Sequence, residues 1–128
     1  MKKLTPEEER VIIGKGTETP FSGKYNKLFE KGIYVCKRCD NPLFTSEAKF
    51  KSSCGWPSFD EHIKDTVLRI PDVDGHRTEI VCAVCKVHLG HVFEGEKLTP
   101  KDLRHCVNSL SIQFKSKDEN VEQGEIRT

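Results

Sequence analysis

The stretch that organises this sequence is Arg104-His-Cys-Val-Asn-Ser-Leu-Ser-Ile-Gln-Phe114, which we interpret as one β-strand. Side chains alternate across a strand, so Arg104, Cys106 and Asn108 are expected on one side, followed by apolar residues that suit a core. A guanidinium two residues from a thiol favours the thiolate, which is the nucleophilic form of cysteine. The strand therefore predicts a reactive thiol on a rigid element, although an inert cysteine half-buried in a sheet is the competing interpretation.

Length and composition predict one domain with a modest core, because the chain has 128 residues. Lys plus Arg is 21 and Asp plus Glu is 20, so no basic excess indicates a nucleic-acid partner. We expect no secretion signal and no membrane span, since no apolar leader or long apolar segment occurs. The expected compartment is the cytosol, where the six cysteines would serve as metal ligands or catalysts rather than structural disulfides.

Local signals predict a mainly β fold with a helical lead-in. Thr5-Pro-Glu-Glu8 has the pattern of a capping box with proline at the first helical position, which predicts a short helix over residues 6–13. A second helical turn is predicted over residues 25–31. Short β-type segments separated by turn signals are predicted at 33–35, 48–51, 66–70, 77–81, 87–93 and 104–114. The predicted organisation is one domain over 1–114, with a helical lead-in at 1–32 and a β core at 33–114, followed by a loosely held polar tail at 115–128.

Two Cys-x-x-Cys pairs predict a metal site, namely Cys36-Lys-Arg-Cys39 and Cys82-Ala-Val-Cys85. Each pair spans two corners of a tetrahedron, so the two pairs together complete a four-thiolate zinc site. Such a closed site has no open position for substrate, and its expected role is structural. A redox dithiol is the competing interpretation of either pair alone, and iron can occupy the same four sulfurs. We expect no organic cofactor.

Two cysteines remain outside these pairs, Cys54 and Cys106. Cys54 lies in a Gly- and Pro-containing loop with the only tryptophan, Trp56. Such a loop can be exposed and mobile, as a second thiol must be to reach a sulfur on the strand. Alternatively, Trp56 fills the core and Cys54 is an incidental neighbour.

The segment His88-Leu-Gly-His91 follows the second pair. In a flat strand the two histidines would face opposite sides, but Gly90 permits a β-bulge that would turn both toward one cleft. A histidine near neutrality is a common proton donor in such a cleft. The alternatives are a zinc ligand and a histidine satisfied within the sheet.

Taken together, six motifs resemble those of the methionine sulfoxide reductase family of the B type, which reduces the R epimer of the sulfoxide. They cover most of the chain in order: Lys15-Gly-Thr-Glu-Thr-Pro-Phe-Ser-Gly23, Gly32-Ile-Tyr-Val-Cys-Lys-Arg-Cys39, Cys54-Gly-Trp-Pro-Ser-Phe59, Arg77-Thr-Glu-Ile-Val-Cys82, His88-Leu-Gly-His-Val-Phe93 and Arg104-His-Cys-Val-Asn-Ser109. The resemblance implies two antiparallel sheets with short N-terminal helices.

The resemblance also implies a role for each site residue. Cys106 corresponds to the nucleophile and Cys54 to the resolving cysteine. The implied polar cluster is His88, His91, Arg104 and Asn108, the implied substrate-binding residues are Trp56 and Phe93, and the implied zinc ligands are Cys36, Cys39, Cys82 and Cys85. Leu110 and Ile112 stand where the family more often has Ala and Leu, which we expect to change core packing only.

The implied reaction is the repair of methionine (R)-sulfoxide in oxidised proteins. Cys106 would become a sulfenic acid, with His91 favoured over His88 as the proton donor. Cys54 would then form a disulfide with Cys106, and thioredoxin would restore both thiols. We expect a monomer with no nucleic-acid or membrane partner. The rival hypothesis is a zinc-held binding module that presents the Trp56 cleft to a ligand without turnover.

Overall fold

The computed structural model of the protein describes residues 3–14, 16, 23, 25, 28–51, 55–71, 77–95 and 99–116. A short α-helix, α1 (Pro6–Glu8), continues as a π-helical stretch over Glu9–Ile13. Thr5 and Glu8 form the capping box, because the Glu8 amide donates to the Thr5 hydroxyl at 3.2 Å and the Thr5 amide donates to the Glu8 carboxylate at 2.9 Å. The helix predicted over residues 6–13 is therefore confirmed.

The described part of the chain forms nine strands: β1 (Gly32–Cys36), β2 (Pro42–Thr45), β3 (Lys49–Phe50), β4 (Ser58–Phe59), β5 (Val67–Pro71), β6 (Thr78–Cys82), β7 (His88–Glu94), β8 (Leu103–Val107) and β9 (Ile112–Ser116). They form two sheets with strand orders β2-β1-β9 and β3-β4-β8-β7-β6-β5. Every pairing is antiparallel. The predicted mainly β fold with two antiparallel sheets is confirmed, with one short helix in the described residues.

The prediction of a single strand over residues 104–114 is wrong. β8 ends at Val107, a 3-10 turn spans Ser109–Ser111, and β9 then joins the other sheet. The turn is held by polar groups: the Ser111 hydroxyl donates to the His88 carbonyl at 3.0 Å and the Tyr25 amide donates to the Ser109 hydroxyl at 3.2 Å. Serine side chains that bond to backbone offer the chain an alternative to a sheet ladder. The Cys106 row and the apolar row therefore lie on two different strands.

Two further differences concern short elements. Strands β2 and β4 were not expected, because β2 begins at Pro42 next to a turn signal and β4 lies in the tryptophan loop. Of the predicted helical turn at 25–31, Tyr25 lies in a turn closed by a 3.3 Å bond from the Leu28 amide, residues 28–31 are not helical, and residues 26 and 27 lie outside the described part.

The core lies between the two sheets and is built around aromatic rings. Tyr34 of β1 meets Phe59 of β4 edge-on at 5.1 Å, and Phe44 of β2 stacks on Phe59 at 4.4 Å between ring centroids. All three rings are fully buried. Because β1 and β2 belong to the small sheet and β4 to the large one, these contacts join the two layers.

The segment around residues 25 and 28 and the C-terminal strand are both fastened to the sheets. Lys49 is buried, and its ammonium donates to the backbone carbonyls of Tyr25 and Leu28. At the other end, β9 pairs with β1 as far as Ser116 opposite Gly32, so the strand continues two residues into the segment predicted as a tail. Residues 117–128 lie outside the described part. Among the described residues, no helix is long and apolar enough to cross a membrane.

Candidate active site and metal centre

The two Cys-x-x-Cys segments form the same tight turn at the ends of two strands. In each, the residue after the second cysteine donates its amide to the carbonyl of the first: Asp40 to Cys36 and Lys86 to Cys82, both at 2.9 Å. Asp40 and Lys86 both have positive φ, 65° and 67°. This repeated backbone turn directs both sulfurs of each pair toward one point, which is the local geometry of a metal-binding knuckle.

The four sulfurs meet in one cluster. Cys36 and Cys85 are 3.6 Å apart at Sγ, as are Cys39 and Cys82, and all four sulfurs lie within 4.8 Å of one another. Four thiolates at about 2.3 Å from one zinc ion would be separated by about 3.8 Å along each tetrahedral edge. The cluster therefore fits a four-thiolate metal site, and the predicted ligand set is brought together.

Within the cluster, the Cys82 sulfur is favoured as a thiolate. The hydrogen bond from the Cys36 thiol is the main cause that lowers the pKa of Cys82 to about 4, while the same contact raises the pKa of Cys36. The Asn41 side-chain amide also lies 3.5 Å from the Cys82 sulfur and donates to it. Since β1 belongs to the small sheet and β6 to the large one, an ion held here would link the two sheets.

A separate cleft of about 160 Å³ surrounds Cys106, which is half-buried on β8. Across the sheet Cys106 pairs with His91 of β7 on one side and with Ser58 of β4 on the other. The cleft is lined by Trp56, Arg77, His88, Gly90, His91, Phe93, Arg104, Cys106 and Asn108. The structure therefore gathers every described residue predicted for the active site. Cys54 lies outside the described residues.

A β-bulge turns both histidines toward the cleft. On β6 the neighbours Ile80 and Val81 pair with Gly90 and His88 of β7, which leaves Leu89 as the extra residue. The rings of His88 and His91 consequently lie 5.5 Å apart at 70°. The predicted bulge is present, one residue before the glycine.

Glycine is required at position 90 because of a close approach between two strands, and not because of the bulge. A Cβ at this position would lie 1.9 Å from the carbonyl oxygen of Cys106 and 3.1 Å from the Cα of Val107. Only glycine lets β7 approach β8 this closely. Gly90 therefore fixes the distance between the histidine strand and the thiol strand.

Arg104 and Phe93 form a cross-strand pair beside the thiol. The two residues are register partners on β8 and β7, and the guanidinium carbon lies 4.5 Å from the centre of the phenyl ring. Stacking on an aromatic face restrains a guanidinium that would otherwise be mobile. Phe93, predicted as a substrate-binding residue, also holds Arg104 near Cys106.

At the end of β8, Asn108 is tied to the bulge. Its backbone amide donates to the Leu89 carbonyl at 3.0 Å, and its side-chain amide donates to the same oxygen at 3.4 Å. Asn108 is therefore held against the strand that carries both histidines.

Sequence reasoning missed two residues of the site. Arg77 lines the cleft, and Glu79 is buried beside it with its carboxylate 2.8 Å from Nδ1 of His88. Because the two residues are two positions apart on a predicted strand, the sequence indicates that they share one face. It does not indicate which strand pairs with this one or in which register, and these decide that the face meets the histidines.

Comparison with known proteins places these features in one family. Residues 4–116 match the model of the SelR domain. Peptide methionine sulfoxide reductase B5 of Arabidopsis thaliana is 54% identical over 112 residues, which are 87% of this chain and 81% of that protein. Peptide methionine sulfoxide reductase B5 of Oryza sativa subsp. japonica is also 54% identical, with 82% of its length covered. The chain spans only 55% of the chloroplastic B2 protein of Arabidopsis thaliana, at the same identity.

One solved structure resembles this chain in fold. The Mis18 'Yippee-like' domain superposes with a TM-score of 0.50 at 15% identity, covering 68% of this chain and 97% of that one. At this identity the likeness concerns the fold alone.

Proposed function

Because the chain belongs to the methionine sulfoxide reductase B family, we propose that it reduces methionine (R)-sulfoxide in oxidised proteins to methionine. The observation that carries the proposal is the division among the described cysteines. Four bring their sulfurs together in a cluster that could hold a metal ion, whereas Cys106 is the described cysteine that lines the cleft. Two histidines, two arginines and a tryptophan line the same cleft. A pure binding module has no need for a half-buried thiol at the centre of its pocket.

In the first step the Cys106 thiolate attacks the sulfoxide sulfur while a protonated histidine donates to the sulfoxide oxygen. The protonated oxygen then passes from the substrate sulfur to the Cys106 sulfur. The substrate sulfur–oxygen bond and the transient bond between the two sulfurs break, a sulfur–oxygen bond forms on Cys106, and methionine leaves a sulfenic acid behind. His91 is the preferred donor, because it is the register partner of Cys106 on the adjacent strand. Acid catalysis of this kind contributes about two to four powers of ten in rate.

In the second step the Cys54 thiol condenses with the sulfenic acid, which forms a Cys106–Cys54 disulfide and releases water. A dithiol protein of the thioredoxin class supplies two electrons and two protons to restore both thiols. The net reaction converts one sulfoxide and one dithiol into methionine, a disulfide and water. Trp56, two residues after Cys54 in the sequence, lines the cleft, which supports Cys54 as the resolving thiol.

Epimer selection is assigned to the aromatic side of the cleft. Trp56 and Phe93 offer apolar ring faces against which the methyl group of the sulfoxide can pack. Arg104 and Asn108 lie on the strand of Cys106 and near its end, where they suit the oxygen side of the substrate. A substrate of the opposite epimer would place its methyl and oxygen in each other's positions.

The metal of the four-cysteine cluster is proposed to be zinc with a structural role. Four soft thiolates suit zinc, and a site with four protein ligands has no open position for chemistry. When bound, the ion would hold the β1 and β6 ends together while leaving the cleft unchanged. We extend the proposal to a monomer in a thiol-reducing compartment such as the cytosol. One chain carries all the thiols that the cycle needs, and the disulfide formed in each turnover must be reduced again.

The test is to incubate the zinc-loaded protein with each methionine sulfoxide epimer and dithiothreitol, and to measure methionine. The proposal expects turnover of the R epimer and none of the S epimer. Binding of the sulfoxide without methionine formation would support the rival binding module. Peptide mapping after one equivalent of sulfoxide, without reductant, should find the Cys106–Cys54 disulfide.

A further inference from the structure

We propose that Glu79 is a positioning residue for His88: its buried carboxylate keeps the hydrogen on Nδ1 and so directs Nε2 of the ring toward the cleft. The inference rests on the proposed function for its catalytic meaning. Its structural part, the tautomer of His88, stands on the geometry alone.

The contact is short and shielded from water. Oε2 of Glu79 lies 2.8 Å from Nδ1 of His88, and the two side chains are 6% and 3% exposed. An ionised carboxylate only accepts hydrogen bonds, so the hydrogen between the two atoms belongs to Nδ1. Nε2 is then left to face the cleft, where it accepts a proton in the neutral ring and donates one in the charged ring.

The bulge of β7 makes this contact possible. By strand register, Glu79 of β6 is opposite His91, while His88 is opposite Val81. Because Leu89 is an extra residue in β7, the His88 side chain is rotated away from its regular strand position. Its ring contacts both the Glu79 carboxylate and the ring of His91. On the backbone side, the His88 carbonyl accepts the Ser111 hydroxyl at 3.0 Å. The ring is therefore oriented from its Nδ1 side and from its own main chain.

Glu79 acts through His88 and not on the substrate. It is 4% exposed and is not among the described residues that line the cleft, whereas His88 is. The arrangement matches the general rule that a functional imidazole is oriented by an acceptor on its other nitrogen. An amide at position 79 can donate to Nδ1 as well as accept from it, so Glu79→Gln would no longer enforce one tautomer.

The first test reads the tautomer directly. Nitrogen-15 histidine NMR of the full-length, zinc-loaded protein should show His88 with its hydrogen on Nδ1, the signal being assigned by its loss in His88→Gln. In Glu79→Gln the signal should move toward the Nε2–H form. Glu61→Gln is the matched control, because Glu61 is an exposed glutamate paired with Lys101, and it should leave the His88 signal unchanged. A wild-type His88 with its neutral hydrogen on Nε2 would overturn the proposal.

The second test uses single-turnover kinetics. Glu79→Gln should lower the rate of methionine formation about 10- to 100-fold with little change in substrate affinity, as is typical when the acceptor that orients an imidazole is removed. In the double variant with His88→Gln, the loss should equal that of His88→Gln alone. Losses that multiply would show that Glu79 does not act through His88.

Folding and function are separated by the design. Zinc content and melting temperature show whether Glu79→Gln folds. If it does not, Glu79→Asp replaces it, because its carboxylate ends one methylene farther from His88. The Nδ1–H signal of His88 should then weaken and the single-turnover rate should fall, and wild-type values for both in a folded Glu79→Asp protein would contradict the proposal. A wild-type protein without reductase activity would refute the proposed function while leaving the tautomer result intact.

Discussion

Replacing Gly90 by alanine should both destabilise the protein and slow its reaction. The added Cβ would lie 1.9 Å from the carbonyl oxygen of Cys106. An ordinary carbon–oxygen contact is about 3.3 Å or longer even in close strand packing, so the two strands must separate by more than about 1 Å. Overpacking of a well-packed site costs about 1–3 kcal/mol, and each ladder hydrogen bond that breaks adds about 1 kcal/mol. The expected loss in the free energy of unfolding is therefore about 2–4 kcal/mol.

The same displacement should slow the chemistry. A misplacement of about 1 Å costs about 100-fold in rate where two reacting groups must be aligned, and here it separates the Cys106 strand from the histidine strand. Urea unfolding and a single-turnover assay of methionine formation measure the two effects. Gly95→Ala is the control: Gly95 has a φ of 86°, yet its added Cβ would meet nothing within 4 Å. That variant should lose about 1 kcal/mol from backbone strain and keep its single-turnover rate. Wild-type stability and rate in Gly90→Ala would refute the close-approach explanation.

Three further predictions concern the buried histidine, the metal and the aromatic face. Burial lowers the pKa of His105 from 6.5 to about 4. As the pH falls, the unfolded chain therefore binds a proton at this histidine before the folded protein does, and about 3 kcal/mol of stability is lost between pH 6.5 and pH 4. Urea unfolding should show that the free energy of unfolding falls less steeply with pH in His105→Gln than in wild type, and equal pH slopes would contradict the assignment. Cys85→Ser should lose zinc and have a lower melting temperature, whereas Cys106→Ser should keep its zinc and its melting temperature. Metal analysis and calorimetry measure the two properties, and a Cys85→Ser protein with the wild-type melting temperature would exclude a structural ion. Trp56→Ala should raise the Michaelis constant and weaken the preference for the R epimer, and unchanged selectivity on separated epimers would remove Trp56 from substrate recognition.

The features that could be predicted from sequence are those that depend on near neighbours. The capping box of Thr5 and Glu8 and both Cys-x-x-Cys turns close within a few residues, so their composition determines their geometry. The alternation that put Arg104 and Cys106 on one face holds within β8 for the same reason.

The features that could not be predicted depend on residues distant in the chain. β8 stops at Val107 because Asn108 bonds to Leu89 and Ser111 bonds to His88, about twenty residues earlier. Glu79 contacts His88 because β6 pairs with the bulged part of β7. Short strands such as β4 have too few residues for a periodic signal and exist because β3 and β8 flank them.

The central claim is that Cys106 performs the reduction and Cys54 only resolves the product. The direct measurement is methionine formed per (R)-sulfoxide added, in the absence of reductant and with enzyme in excess, for wild type, Cys54→Ser and Cys106→Ser. The account predicts a full burst in wild type and in Cys54→Ser, and none in Cys106→Ser. It also predicts that Cys54→Ser fails to cycle with a thioredoxin-class dithiol. A burst that survives in Cys106→Ser, or disappears in Cys54→Ser, would contradict the division of labour between the two thiols.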